Sequence, residues 1–109
     1  MNETRVIERR LAIEILHQAQ IAQPEAIRGW VAEAGGMPQT FHLGEPPAGA
    51  ALWARLRSHP QAPAEPAPGE LAGDGLNLLV SLNTKGVLEM RCWRLADGSP
   101  REIILKIRE

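Results

Sequence analysis

Apolar residues recur along this chain with two periods, and the change of period separates one helix from a series of strands. From about Glu8 to Gln20, Leu11, Ile15 and Ala19, flanked by Ala12 and Leu16, share one helical face and leave Arg9, Arg10, Glu14 and Gln18 to water. Gln23-Pro24 ends that helix, because a residue before proline is pushed out of the helical region. Ile27 to Val31, the turn at Gly35-Gly36 and Pro38, and a run through Phe41 predict two strands paired as a hairpin. Gly44 to Gly49 is a short Pro/Gly loop. In the following AALWARLRSHP, Leu52 and Leu56 suit a helix, yet Leu52, Ala54 and Leu56 alternate with Trp53, Arg55 and Arg57 as in a strand. Residues 48–58 therefore stay open between the two.

Pro60 to Gly69 holds four prolines and three alanines and is expected to be an extended surface loop rather than a packed element. Beyond it the period settles to two. Leu76, Leu78, Val80 and Leu82 alternate, Asn83 to Gly86 supplies a turn, and in Val87 to Leu95 Leu88, Met90 and Cys92 oppose Glu89 and Arg91. Asp97-Gly98 then predicts a tight hairpin before Ile103, Leu105 and Ile107. The pattern reads as a C-terminal three-strand antiparallel meander covered by the N-terminal helix, an α+β arrangement of mostly antiparallel sheet against one or two helices. Leu76 to Leu82 would be an aggregation-prone segment unless it lies in the middle of the sheet.

Composition narrows the function classes. With 109 residues, 44% of them hydrophobic, the chain has material for one core and reads as a single domain over residues 1–109. Twelve basic and thirteen acidic side chains give a net charge of −1, so no global field points to nucleic acid or an anionic membrane as partner. The lone Cys92 excludes an intramolecular disulfide and a cysteine-based zinc cluster, and reads as a small buried hydrophobe. No run of eighteen apolar residues and no signal-peptide core is present, so the expected location is the cytoplasm. Trp30, Trp53 and Trp93 stand beside a single Phe and no Tyr. Core packing is their commoner use, while Trp53 beside Arg55 and Arg57 also forms a candidate binding cluster.

The stretch RSHPQAPAEPAPGELAGDGLNLLVSLNTKGVLEMRCWRL, from Arg57 to Leu95, resembles the core of the JAMM/MPN (Mov34/PAD-type) family of zinc-dependent isopeptidases. There a strand ending in His-Ser-His-Pro leads through a Pro-rich loop to a Ser-x-x-Asp helix start and a buried strand ending near Val-Ser-Leu. Upstream, the helix running into Pro24-Glu25-Ala26-Ile27-Arg28-Gly29 is similar to the family's helix followed by Pro-x-Glu-x-Cys-Gly. The resemblance covers most of the chain, with a shorter middle from Gly35 to Ala51, and implies a cytidine-deaminase-like fold of short bacterial type.

In that family two histidines and an aspartate hold a catalytic zinc with one position open for water, a glutamate acts as general base, and a serine hydroxyl supports the oxyanion. Carried onto this sequence, the first histidine is Arg57, a permanent cation that cannot ligate zinc. The second is His59. Ala67 stands at the serine position and Glu70 at the aspartate position. The general-base position is Ala26 with Glu25 one place away, and the family's cysteine is Arg28. A missing base alone removes about a hundred- to ten-thousand-fold of rate.

The resemblance therefore implies a degenerate zinc motif: a metalloprotease-like pseudoenzyme with no catalytic residues and no cofactor. It would bind protein or act as a scaffold, with a ubiquitin-like sulfur-carrier protein as the partner class. His59 and Glu70 are its vestigial metal positions, and Trp53, Arg55 and Arg57 its candidate binding residues. Against the vestigial site, His59 also reads as an ordinary loop histidine, and Glu70 as a carboxylate in the first turn of a helix beginning near Pro68. Two alternatives accompany this reading. One is a zinc-dependent isopeptidase with an altered ligand set, His59, Glu70 and one of His17 or His42; the other is a homodimer formed through an uncovered strand edge.

Overall fold

A computed structural model describes residues 3–71, 75–84 and 87–109. Within them the elements run β1 (Thr4–Glu8), α1 (Arg9–Ile21), β2 (Arg28–Ala34), β3 (Met37–Leu43), β4 (Leu52–His59), β5 (Leu76–Thr84), β6 (Val87–Ala96) and β7 (Ser99–Arg108). The strands form one seven-stranded sheet in the order β1-β7-β6-β5-β4-β2-β3. It is mixed: β1 pairs with β7 and β4 with β5 in parallel, and the remaining neighbours are antiparallel. This is the α+β architecture expected, with a mostly antiparallel sheet and, among the described residues, one helix.

Helix α1 owes its place to packing. Glu8 makes no side-chain cap, the first turn has no acidic residue, and the last turn has no basic one, so neither end favours the helix dipole. What holds it is the face carrying Leu11, Ala12, Ile15 and Ala19, all buried against the sheet. Facing them are Ile7, Val31, Phe41, Ala54, Leu56, Leu78, Val80, Cys92 and Ile103. Burial pushes the Cys92 thiol up to about 12, as for an inert core cysteine.

Residues 52–59, the run where periodicity is ambiguous, form the strand β4, central to the sheet between β2 and β5. Ala54, Leu56 and Ser58 alternate onto the helix-covered face while Arg55 and Arg57 face away. Three features depart from the sequence pattern. The first concerns β1, a strand that periodicity does not predict, because five residues with only Val6 and Ile7 apolar carry too little alternation; its pairing with β7 is what makes it a strand. The second is Trp53, which belongs to the core with 7% exposure instead of offering a binding surface beside the arginines.

The third is the Pro-rich segment. It is not a free surface loop: Ala64 is fully buried and Leu71 nearly so. The segment crosses the sheet on the face opposite α1, where Ser81 Oγ donates to the Ala62 carbonyl at 2.7 Å and Trp93 Nε1 donates to the Ala64 carbonyl at 3.1 Å. Strand β5, fourth of seven, is thereby buried on both faces, and Leu79 and Ser81 are as inaccessible as Leu78 and Val80. Its hydrophobic run is shielded by position. The part of the expected turn at Lys85 and Gly86 lies outside the described residues, whereas Asp97 and Gly98 close the β6–β7 hairpin with positive φ at both positions, as a type I′ turn requires.

Candidate functional site

Strand β4 ends where its parallel neighbour β5 continues, and its last residue, His59, pairs in register with Ser81. The chain then turns at Pro60 and folds back as the 60–71 segment, which brings Glu70 over the end of β4. His59 Nε2 lies 2.7 Å from Glu70 Oε2, with both side chains largely buried. The other ring nitrogen, Nδ1, donates to the Pro63 carbonyl at 2.8 Å. Both partners of the ring are acceptors, so the arrangement calls for a proton on each nitrogen, the imidazolium form. The His59 pKa is raised accordingly: burial works to lower it, but the hydrogen bonds that the ring donates to Glu70 and to the Pro63 carbonyl, together with the Glu70 charge, outweigh burial and the opposing Arg57 charge.

Glu70 is held from a second side. The Ala67 amide donates to Oε1 at 3.0 Å, while the Glu70 amide donates to the Ala67 carbonyl at 3.0 Å. No helix starts near Pro68 among the described residues; Pro68 and Gly69 form a turn, so the Glu70 carboxylate caps that turn instead of a helix dipole. His59 is likewise a strand-end residue with a carboxylate partner and not an ordinary loop histidine.

Beneath His59, Ser58 ties β4 to the start of β2. Its hydroxyl accepts the Ile27 amide at 2.8 Å, and its own amide donates to the Ile27 carbonyl at 3.1 Å. This clasp positions the segment from Pro24 to Arg28 along one side of an open pocket of about 460 Å³. Pro24, Ala26, Ile27 and Arg28 form that side, and Arg57, His59, Pro60, Ala62 and Glu70 the other. Ala26, which the family resemblance sets at the general-base position, lines the pocket; Glu25 is exposed in the preceding turn and does not line it. A second depression of about 340 Å³ adjoins, lined by Arg55, Glu45 and Asn77 and sharing Arg28, Arg57 and Glu70.

The structure thus brings together His59, Glu70, Arg57, Ala26 and Arg28, five of the positions singled out in the sequence, with Arg55 in the adjoining depression. The two histidines offered as replacement ligands stay apart from them. His17 is exposed on α1, and His42 stacks on Trp30 at 4.6 Å with Nε2 2.9 Å from Thr40 Oγ1, so neither joins His59 and Glu70. Among the described residues no group of three His, Cys, Asp or Glu is placed to hold a metal ion. Sequence reasoning missed Ser58 and Ser81 as anchors of the site; a serine at an inward strand position was the available signal. The pocket of similar size at Met90, Arg91 and Glu102 to Leu105 lies on β6 and β7 and carries no comparable chemistry.

Solved structures align with nearly the whole chain. Protein DSY2949 from Desulfitobacterium hafniense superposes with a TM-score of 0.73 at 16% identity, over 95% of this chain and 92% of its own. AF2198, a JAB1/MPN domain protein from Archaeoglobus fulgidus, superposes with a TM-score of 0.70 at 18% identity and complete coverage of both chains. This chain has the JAMM/MPN fold. A third structure, described as JAMM, a metalloprotease-like zinc site in the proteasome and signalosome, agrees, with a TM-score of 0.70 at 18% identity over 98% and 99% of the two chains. No family model and no curated protein matches the sequence. The JAMM/MPN fold of this chain contains, among the described residues, no helix long and apolar enough to cross a membrane.

Proposed function

We propose that this JAMM/MPN-type chain has lost its zinc-hydrolase centre and serves as a protein-binding or scaffold domain, holding a partner in the cleft between the Pro24–Arg28 segment and the end of β4. One observation carries the reading. At the first metal-ligand position of the family stands Arg57, a fixed positive charge lining the same pocket as His59 and Glu70.

One structural neighbour is described by its metalloprotease-like zinc site, and the residues here do not fit such a site. A catalytic zinc takes three protein ligands and one water. The described residues offer one imidazole and one carboxylate, already bonded to each other, and the carboxylate is also engaged by the Ala67 amide. A cation beside the pair adds repulsion for a dication, and Ala26 supplies no base. A ligand set completed by His17 or His42 is disfavoured because both lie on other surfaces.

By the same resemblance we place the fold in the cytidine-deaminase-like class; from the sequence pattern we further propose a cytoplasmic protein of one domain, able to pair through its outer strands β1 or β3. The partner class it implies is a ubiquitin-like sulfur carrier. The test begins with elemental analysis of protein purified without chelating resin, beside His59→Ala, followed by titration with a β-grasp carrier protein. Absence of stoichiometric metal together with saturable binding of the carrier is expected. One zinc per chain, lost in His59→Ala, would sink the proposal, and so would absence of binding to any such carrier.

A further inference from the structure

Arg28 and Arg57 are register partners across β2 and β4, so their side chains rise from the same face directly opposite each other. Like charges so placed repel, and the fold leaves that repulsion only lightly compensated. Arg28 Nη1 reaches Glu45 at 3.2 Å, but both side chains of that pair are more than 60% exposed, where an ion pair is weak. Neither Arg55 nor Arg57 forms an ion pair with any described residue. The buried carboxylate that lines both depressions, Glu70, is committed to His59 and the Ala67 amide. Both depressions at this end of the sheet therefore share a wall with two guanidinium groups and an excess of positive charge, and Arg55 extends it along β4.

From this juxtaposition we propose that the cleft captures the free C-terminal carboxylate of a peptide chain, with Arg57 as its principal partner and Arg28 as the second. A guanidinium matches a carboxylate in a planar, two-point hydrogen bond, and a half-buried one is less hydrated than an exposed one. The rest of the larger pocket suits an extended backbone with small side chains. Pro24, Ile27, Pro60 and Ala62 give it uncharged walls, and its size is that of a small-ligand site rather than a broad protein footprint. The proposal rests on the protein-binding reading above and specifies which end of the partner enters the cleft.

The experiment is a titration of the labelled full chain followed by nuclear magnetic resonance, reading the backbone amides of residues 26–29 and 57–59 and the arginine Nε–H signals. The probes are N-acetyl-tetraglycine with a free carboxylate, the same peptide as its C-terminal amide, and inorganic phosphate. The free acid is expected to shift the Arg57 and Arg28 signals saturably, and the amide to leave them in place. Arg57→Gln is expected to weaken the acid by about tenfold or more, and Arg57→Lys to restore part of that loss. Chemical-shift dispersion of each variant shows that it is folded, and Arg28→Gln provides a second, more exposed substitution expected to weaken the acid less.

Equal responses to acid and amide, an unchanged affinity in folded Arg57→Gln, or phosphate binding as tightly as the acid would each overturn the assignment. No response to the acid alongside saturable binding of a folded carrier would overturn it while leaving the protein-binding reading intact. Stoichiometric zinc lost in His59→Ala would instead overturn that underlying reading.

Discussion

Gly29 shows how closely the chain can be constrained at a single position. A Cβ placed there would lie 2.5 Å from Phe41 Cε1 and 2.6 Å from the His42 carbonyl oxygen, because the Phe41 ring packs over the bare backbone of β2. The backbone atom cannot move without disturbing the β2–β3 pairing. Gly29→Ala is therefore expected to cost about 1–3 kcal/mol, measured by urea denaturation, and Phe41→Leu in the same background should recover part of it. His59 makes the second residue-scale prediction. Its folded pKa lies above the ordinary 6.5, so the pair with Glu70 stabilises the fold fully below that value, and the contribution is lost as pH rises through the raised value. The melting temperature should fall over that window in the wild type and stay flatter in His59→Gln. An opposite slope would mean that the ring is held neutral. His59, Glu70, Arg57 and Ala26 can all be singled out in the sequence, because a motif fixes positions by counting. The direct bond between His59 and Glu70 cannot, since it depends on how the intervening chain returns.

At the level of elements, the sequence pattern succeeds where one face meets the core and the other meets water. Helix α1 and the alternation in β6 and β7 are of that kind, and the Asp97-Gly98 turn follows from local backbone chemistry alone. Strand β4 is ambiguous in sequence because Leu52, Ala54 and Leu56 satisfy both periods, and only its neighbours β2 and β5 decide for the strand. The 60–71 segment escapes the pattern for a related reason. Prolines and alanines have little local preference to pack, yet this segment covers β5 through two hydrogen bonds from Ser81 and Trp93. Ser81→Ala is expected to destabilise the protein by about 1 kcal/mol, because the Ala62 carbonyl loses this donor. Hydrogen exchange should localise the change to amides of the segment and of β5. Exchange that accelerates uniformly over the whole sheet would show that the segment does not open independently.

For the whole molecule, a metal enzyme and the proposed binding domain predict different responses to zinc. If no third ligand completes His59 and Glu70, adding zinc to metal-free protein should leave its melting temperature unchanged. A native site with a dissociation constant a thousandfold below the free zinc concentration would add about 4 kcal/mol, a rise of roughly 15 °C or more for a chain of this size. Such a rise would reinstate the hydrolase reading. By itself the sequence determined the periods of the elements, most of the core, and which residue types stand at positions 26, 57, 59, 67 and 70. These follow from the chemistry of each residue and its near neighbours. Only the tertiary structure decided that β1 joins β7, that Trp53 is core, that the Pro-rich segment roofs β5, and that Arg28 and Arg57 share one cleft. Each of those depends on contacts between residues far apart in the chain, whose free energy appears only when the sheet has closed its register.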